Sequence, residues 1–229
     1  MTSPYGDDLT GLGRLLQTDH RNLDFPMPKK DVPTNIRRRM WNAGEVLDQG
    51  AEPACVGYAG YGWLQAGPVV NRKMTFSPMD LYHAAQANDE WPGSAYDGSS
   101  TLGLMKALRK LGYVDTYVWA HDAETLMRWV LTTGPVLVGT NFYGGMANPN
   151  AQDDFMTLDG ELLGGHEYWI VGADLDKKCH DGSRGAFRMV NSWGRGFSDN
   201  GRAWLSQATL DRLLKEDGEA VTAIEIKVK

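Results

Sequence analysis

The sequence predicts an α+β fold, a mainly helical first half followed by a β-rich second half. Three observations predict it. Early segments carry apolar residues at helical spacing between start and stop signals. Later segments are short runs of strand composition separated by Gly and Asp. The period changes near residues 112–135, where the two halves join.

Residues 1–35 are rich in Gly, Asp, Pro and Lys and show little periodicity, so they read as an extended arm, anchored through Leu23, Phe25 and Met27. The stretch from Cys55 to Ala66 follows Pro53 and ends at Gly67-Pro68, which frames a helix. Its glycines at 57, 60 and 62 each cost about 1 kcal/mol relative to Ala, which implies close backbone packing. Ser77-Pro78 reads as an N-cap and first helical residue, opening a helix to about Asn88. Ser100 to Leu111 places Leu102, Met105, Leu108 and Leu111 at helical spacing, with Gly112 ending it. Asp122 caps a further helix that stops before Gly134-Pro135. The runs PVLVGTNF, HEYWIVGAD, GAFRMVNSW, RAWLS and AVTAIEIKV then read as strands, interrupted by one helix at about Gln207 to Lys215. A cleft between two such lobes is a common place for an active site.

Composition narrows the function. The chain has 229 residues, 42% hydrophobic and 23% charged, which suits one domain or two lobes sharing a core. A net charge of −6 with scattered basic residues argues against a nucleic-acid partner. The triplet Arg37-Arg38-Arg39 reads as a solvated face. No apolar run approaches the roughly 18 residues of a membrane span. The beginning, MTSPYGDDLTGLG, has neither the basic nor the apolar region of a secretory signal, so a cytoplasmic location is expected, with release by lysis or incorporation into a virion left open. Two cysteines, Cys55 and Cys179, cannot make a disulfide framework or a Cys-based zinc site. A single Cys55–Cys179 bridge is the competing structural reading. No metal or cofactor is expected.

Four residues have the chemistry for covalent catalysis. Cys55 opens a predicted helix, where unpaired N–H groups and the dipole favour a thiolate; the alternative is a small buried hydrophobe. Gln49, six residues earlier, has a side-chain amide suited to an oxyanion, or is a solvated loop residue. His166 follows Gly164-Gly165 and opens a buried-looking strand, as a base or as a structural histidine. The other histidines, His20, His83, His121 and His180, lie in polar surroundings and read as surface residues. Asn191 either accepts the Nδ1–H of that base or closes a strand at a turn. Trp193 is placed to cover the Asn–His bond. The run at 198–201 lacks the alternating carboxylates of a calcium loop, and 144–146 is too weak for a phosphate loop.

The order Gln49-Gly50, Cys55 on a helix, Gly165-His166, then NSWGRGFSDNG from Asn191 to Gly201 resembles the papain-like cysteine peptidase family. The last stretch is similar to that family's Asn-Ser-Trp-Gly box. The resemblance covers roughly residues 35–229. It implies a papain-like two-lobe fold: a helical lobe at about 36–120 and an antiparallel β-barrel-like lobe at about 121–229, after the arm at 1–35. It implies Cys55 as nucleophile, His166 as base, Asn191 as its orienting residue and Gln49 as oxyanion donor. It also implies that Gly98, Ser99, Gly165 and Trp193 bind substrate. The expected partner is a peptide or protein substrate of a monomeric enzyme.

Three departures point to a bacterial- or phage-type member without disulfides. Glu52-Pro53-Ala54-Cys55-Val56 stands where the family has Cys-Gly-Ser/Ala-Cys-Trp. His166 follows Cys55 by 111 residues, fewer than the roughly 130–150 of plant and lysosomal members. The arm is shorter than a long helical propeptide. The rival readings are a Cys-His amidase or acyltransferase, including one acting on cell-wall peptides, and a non-catalytic papain-like structural or binding protein. Tyr96, Phe142, Tyr143, Met146 and Phe197 are candidate cleft walls.

Overall fold

The computed structural model describes residues 11–229; the first ten residues of the expected arm lie outside the described residues. After a short 3-10 turn at His20–Asp24, the elements begin with β1 (Arg38–Met40), α1 (Cys55–Gln65), α2 (Pro78–Gln86) and α3 (Thr101–Lys110). Then come β2 (Tyr117–Ala120), α4 (Ala123–Thr132), β3 (Val136–Tyr143), α5 (Gly144–Ala147) and β4 (Leu162–Lys178). The chain ends with β5 (Arg184–Val190), β6 (Arg202–Ser206), α6 (Gln207–Lys215) and β7 (Glu219–Ala223).

Each helix start has a local cause. Ser77 forms a full capping box with Asp80 and precedes Pro78 at the first helical position. Ser100 accepts from the Gly103 N–H at 2.9 Å, Asp122 from Thr125 at 2.6 Å, and Ser206 from Thr209 at 3.0 Å. Helices α1 and the four-residue α5 are exceptions, for neither Ala54 nor Tyr143 provides a side-chain cap. The α1 glycines have a packing reason. A Cβ on Gly62 would lie 2.5 Å from the Trp169 ring, and one on Gly57 2.5 Å from the Pro78 carbonyl.

The strands form one antiparallel sheet in the order β2-β7-β3-β4-β5-β6, with β1 added against β4. The expected barrel-like lobe is therefore an open sheet with β2 and β6 at the ends of that order. Alternation along its strands builds two cores. On β4, Tyr168 and Ile170 join Val138, Phe187, Leu126, Val130, Leu210 and Leu213 on the α4–α6 side. Trp169 and Val171 join Leu137, Trp63, Leu64, Leu81 and Leu104 on the α1–α3 side. The indole of Trp63 ties α1 to the sheet by donating to the Pro135 carbonyl at 3.0 Å.

Two expectations for the arm are corrected. Leu23 and Phe25 are exposed, and only Met27 of the three is buried. The local anchor is backbone pairing: Met27 N–H donates to the Trp119 carbonyl and Trp119 N–H to that of Phe25. Strands β1 and β2 were not predicted, since three or four residues show no period. The Arg37–Arg39 face is exposed or half-buried, with Arg37 paired to Asp176 and Arg38 to Asp174. Among the described residues no helix is long and apolar enough to cross a membrane, and no cluster of His, Cys, Asp and Glu could hold a metal.

Candidate active site

The first residue of α1 is Cys55, fully buried, and its thiol is free. Cys179 is also free and sits apart among Phe155, Ala186 and Trp204, so the bridged alternative is excluded. The backbone N–H groups of Glu167 and Val56 favour the Cys55 thiolate, but burial dominates and pushes the thiol up to about 12.

His166 lies on β4, directly before Glu167, and is fully buried. Its Nε2 faces Asn191 Oδ1 at 2.8 Å. That oxygen also accepts the Ser192 N–H at 2.8 Å, so it acts as acceptor and Nε2 carries the proton. The expected partner atom, Nδ1, is the other nitrogen. It has no hydrogen-bond partner and is buried. The neutral ring thus keeps a free lone pair on Nδ1. Phe142 packs edge-on against the imidazole at 4.7 Å between ring centres, and Trp193 lies at 5.0 Å. This apolar cover pulls His166 down to about 4, against the hydrogen bond its Nε2 donates to Asn191. Burial thus favours the neutral form of both the thiol and the imidazole in this state.

Gln49 is buried rather than solvated. The segment before α1 pairs with the strand end carrying Trp193: Gln49 N–H donates to the Ser192 carbonyl and Gly194 N–H to that of Leu47. The Gln49 amide is fixed on both sides. Its Oε1 accepts from Ser192 Oγ at 2.5 Å, and its Nε2 donates to the Glu52 and Gly11 carbonyls at 2.6 and 2.9 Å.

Gly11 belongs to the arm, and the arm lies through the site. Trp193 Nε1 also donates to the Gly11 carbonyl, at 3.3 Å. Gly13 and Arg14 donate their N–H groups to the Gly165 carbonyl at 3.1 and 3.0 Å. Leu15 N–H donates to the Ser99 carbonyl at 2.8 Å, and Ser99 N–H to that of Gly13 at 2.9 Å, a parallel pairing. Every residue expected to bind substrate therefore borders the arm: Ser99, Gly165 and Trp193 by hydrogen bonds, and Gly98 by close approach, since a Cβ there would lie 2.4 Å from the Gly13 carbonyl. Gly13 is as constrained, because its own Cβ would lie 2.1 Å from the Pro53 carbonyl.

The sequence leaves open whether the arm fills the cleft, and it does not single out the arm's contacts here or Ser192, Glu167 and Glu219. The spacing GLG at 11–13 was the available signal: two glycines let a strand pass between close walls. Of the candidate walls, Phe142 contacts His166 and Phe197 contacts Trp193. Tyr96 and Tyr143 instead bond Asp89 and Glu216.

No family model matches this sequence, and no curated protein matches it either. Solved structures do. Xylellain, a cysteine protease from Xylella fastidiosa, is similar at TM-score 0.69 and 15% identity, over 96% of this chain and 97% of that one. The digestive procathepsin L 3 of Tenebrio molitor larval midgut is similar at TM-score 0.65 and 17% identity, over 93% and 76%. A procathepsin B from Trypanosoma congolense is similar at TM-score 0.59 and 14% identity, over 96% and 84%. The likeness is one of fold, and it shows that this chain adopts the papain-like fold of those proteases.

Proposed function

We propose that the chain is a cysteine peptidase, held closed by its own arm in the state described. The observation that carries this reading is a peptide carbonyl, that of Gly11, held by the Gln49 side-chain amide and by the indole of Trp193, which packs on His166. A side-chain amide oriented from behind by Ser192 and aimed at a carbonyl is what stabilisation of an oxyanion requires. The tautomer of His166 supports the rest, since Asn191 fixes the proton on Nε2 and leaves Nδ1 as the base.

With the arm displaced and a substrate in its place, the Cys55 proton passes to His166 Nδ1 as Sγ bonds the substrate carbonyl carbon. Gln49 Nε2 donates to the resulting oxyanion. The C–N bond then breaks, and His166 returns the proton to the leaving amine. Water, deprotonated by Nδ1, cleaves the thioester and regenerates the thiol. In this scheme Gly165 and Ser99 hold substrate backbone, Gly98 leaves room for it, and Trp193 shields the Asn–His bond. Peptides or proteins are the substrates of a monomer that uses no metal or cofactor.

Acid-quenched single turnovers of a peptide ester by the chain carrying Gly13→Val, whose added side chain cannot fit beside Pro53, test the scheme when read by intact mass. An acyl adduct on Cys55 that is lost in Cys55→Ala is expected. Ester turnover with no adduct, or an adduct elsewhere, contradicts it.

A further inference from the structure

Arg14 projects from the arm into a recess of the sheet. Its side chain is 2% exposed. Nη2 donates to Glu219 Oε2 at 2.7 Å and to the Asp217 carbonyl at 2.7 Å. The recess follows from register. Gly139 on β3 stands opposite Glu167 on β4 and opposite Glu219 on β7, so the three residues form one row across adjacent strands. Directly opposed residues share a face, so two carboxyl side chains flank a position with no side chain. A Cβ on Gly139 would lie 2.4 Å from Glu167 Oε2, 2.8 Å from Thr101 Oγ1 and 3.0 Å from Arg14 Nε.

Arg14 does not saturate this recess. Glu167 is fully buried; its Oε2 accepts from Thr101 Oγ1 at 2.8 Å, but its Oε1 has no partner. Arg14 Nε is likewise buried without a partner. Two buried carboxyl groups, one with an oxygen left unpartnered, call for donors, and a planar guanidinium with five donors suits two such acceptors better than an ammonium does. The location ties the recess to the reaction site. Glu167 follows His166, and its backbone N–H is one of the two that favour the Cys55 thiolate. Any peptide strand replacing the arm between Ser99 and Gly165 presents a side chain here.

We propose that Glu167, Gly139 and Glu219 form a specificity pocket for the arginine side chain of a peptide, with Arg14 as its built-in occupant. The proposal rests on the peptidase reading for its biological use, but binding tests it separately. The full chain carrying Cys55→Ala and Gly13→Val presents the cleft without turnover, since the valine cannot fit beside Pro53. The probe is the fluorescent peptide Gly-Leu-Gly-Arg-Leu-Leu-Gln, compared by anisotropy with the same peptide carrying citrulline or norleucine for arginine. Citrulline keeps the shape and removes the charge, and binding is expected to weaken about 10- to 100-fold. Glu219→Gln in the same protein narrows that ratio to a few-fold. Equal affinity for the arginine and citrulline peptides overturns the proposal, and so does failure of either to bind. A peptide-library digest with the Gly13→Val chain separates the two claims. Cleavage without arginine preference sinks the pocket and leaves the peptidase. Arginine-selective binding without any cleavage sinks the peptidase and leaves the pocket.

Discussion

Replacing Gly13 by valine forces the arm out of the cleft, because the first added carbon already sits 2.1 Å from the Pro53 carbonyl, which belongs to backbone at the entry to α1. Displacement removes the Gly13 and Arg14 bonds to Gly165, both backbone bonds with Ser99, and the Gly11 carbonyl from Gln49. Water then reaches Cys55, whose thiol burial holds at about 12. At pH 7.5 that value leaves roughly 0.003% thiolate, whereas a free thiol near ~8.5 has roughly 10%. The more acidic thiolate is intrinsically the weaker nucleophile, by about 40-fold over this interval for a Brønsted slope near ~0.45. The net gain in alkylation rate is therefore about 80-fold, before any contribution from access or from pairing with His166. Iodoacetamide labelling of Cys55, followed by peptide mass mapping with Cys179 as internal reference, measures it. Circular dichroism and a melting curve establish that the variant is folded. A folded Gly13→Val chain whose Cys55 alkylates at the wild-type rate refutes the claim that the arm seals the thiol.

Four further outcomes are expected. Asn191→Ala frees His166 Nε2 and lets the ring rotate, so kcat in the arm-displaced chain falls about 10- to 100-fold with little change in KM; an unchanged kcat removes Asn191 from its proposed positioning role. His166 is depressed from 6.5 to about 4, so its contribution to stability is intact above pH 6.5 and is lost as pH falls through 4; denaturant titrations at pH 7 and 4 should show a loss of about 3 kcal/mol that is absent in His166→Gln. Glu167 is raised to about 8 by burial, so its contribution is present below pH 4.5 and lost as pH rises through 8; Glu167→Gln should flatten the fall in melting temperature between pH 6 and 9, and an unaltered slope contradicts a buried neutral carboxyl. Gly62→Ala drives a methyl into the buried Trp169 ring and should cost about 1–3 kcal/mol in chemical denaturation, whereas a neutral result shows that α1 can shift away from the sheet.

Much of this molecule was legible wherever local chemistry decides local structure. The caps at Ser77, Ser100 and Asp122 and the bounds of the helix at Gln207–Lys215 follow from residues adjacent in sequence. The strand runs at β3, β5, β6 and β7 were visible as apolar stretches, and so was the order of Gln49, Cys55, His166 and Asn191. What escaped depends on residues far apart in the chain. The pairing of β1 with β4 is a long-range contact of three residues with no periodic signature. Sheet closure is a matter of strand geometry that side-chain alternation does not encode, and the sheet is open. Arg14 and Glu219 are 205 residues apart, so nothing local joins them. The shifts of the thiol and the imidazole also arise from burial by residues remote in sequence, Phe142 and Trp193 among them for His166. A helix N-terminus argues for a thiolate, but the burial that raises the thiol is not written in the residues around Cys55. The tautomer of His166 required the Asn191 distance itself.

Peptide hydrolysis by the arm-displaced chain tests the central claim most directly. Gly13→Val protein incubated with a defined peptide library should release new amino termini, while Gly13→Val carrying Cys55→Ala or His166→Ala should release none above the blank. Equal hydrolysis with and without the Cys55 thiol, in proteins shown to be folded, contradicts the account.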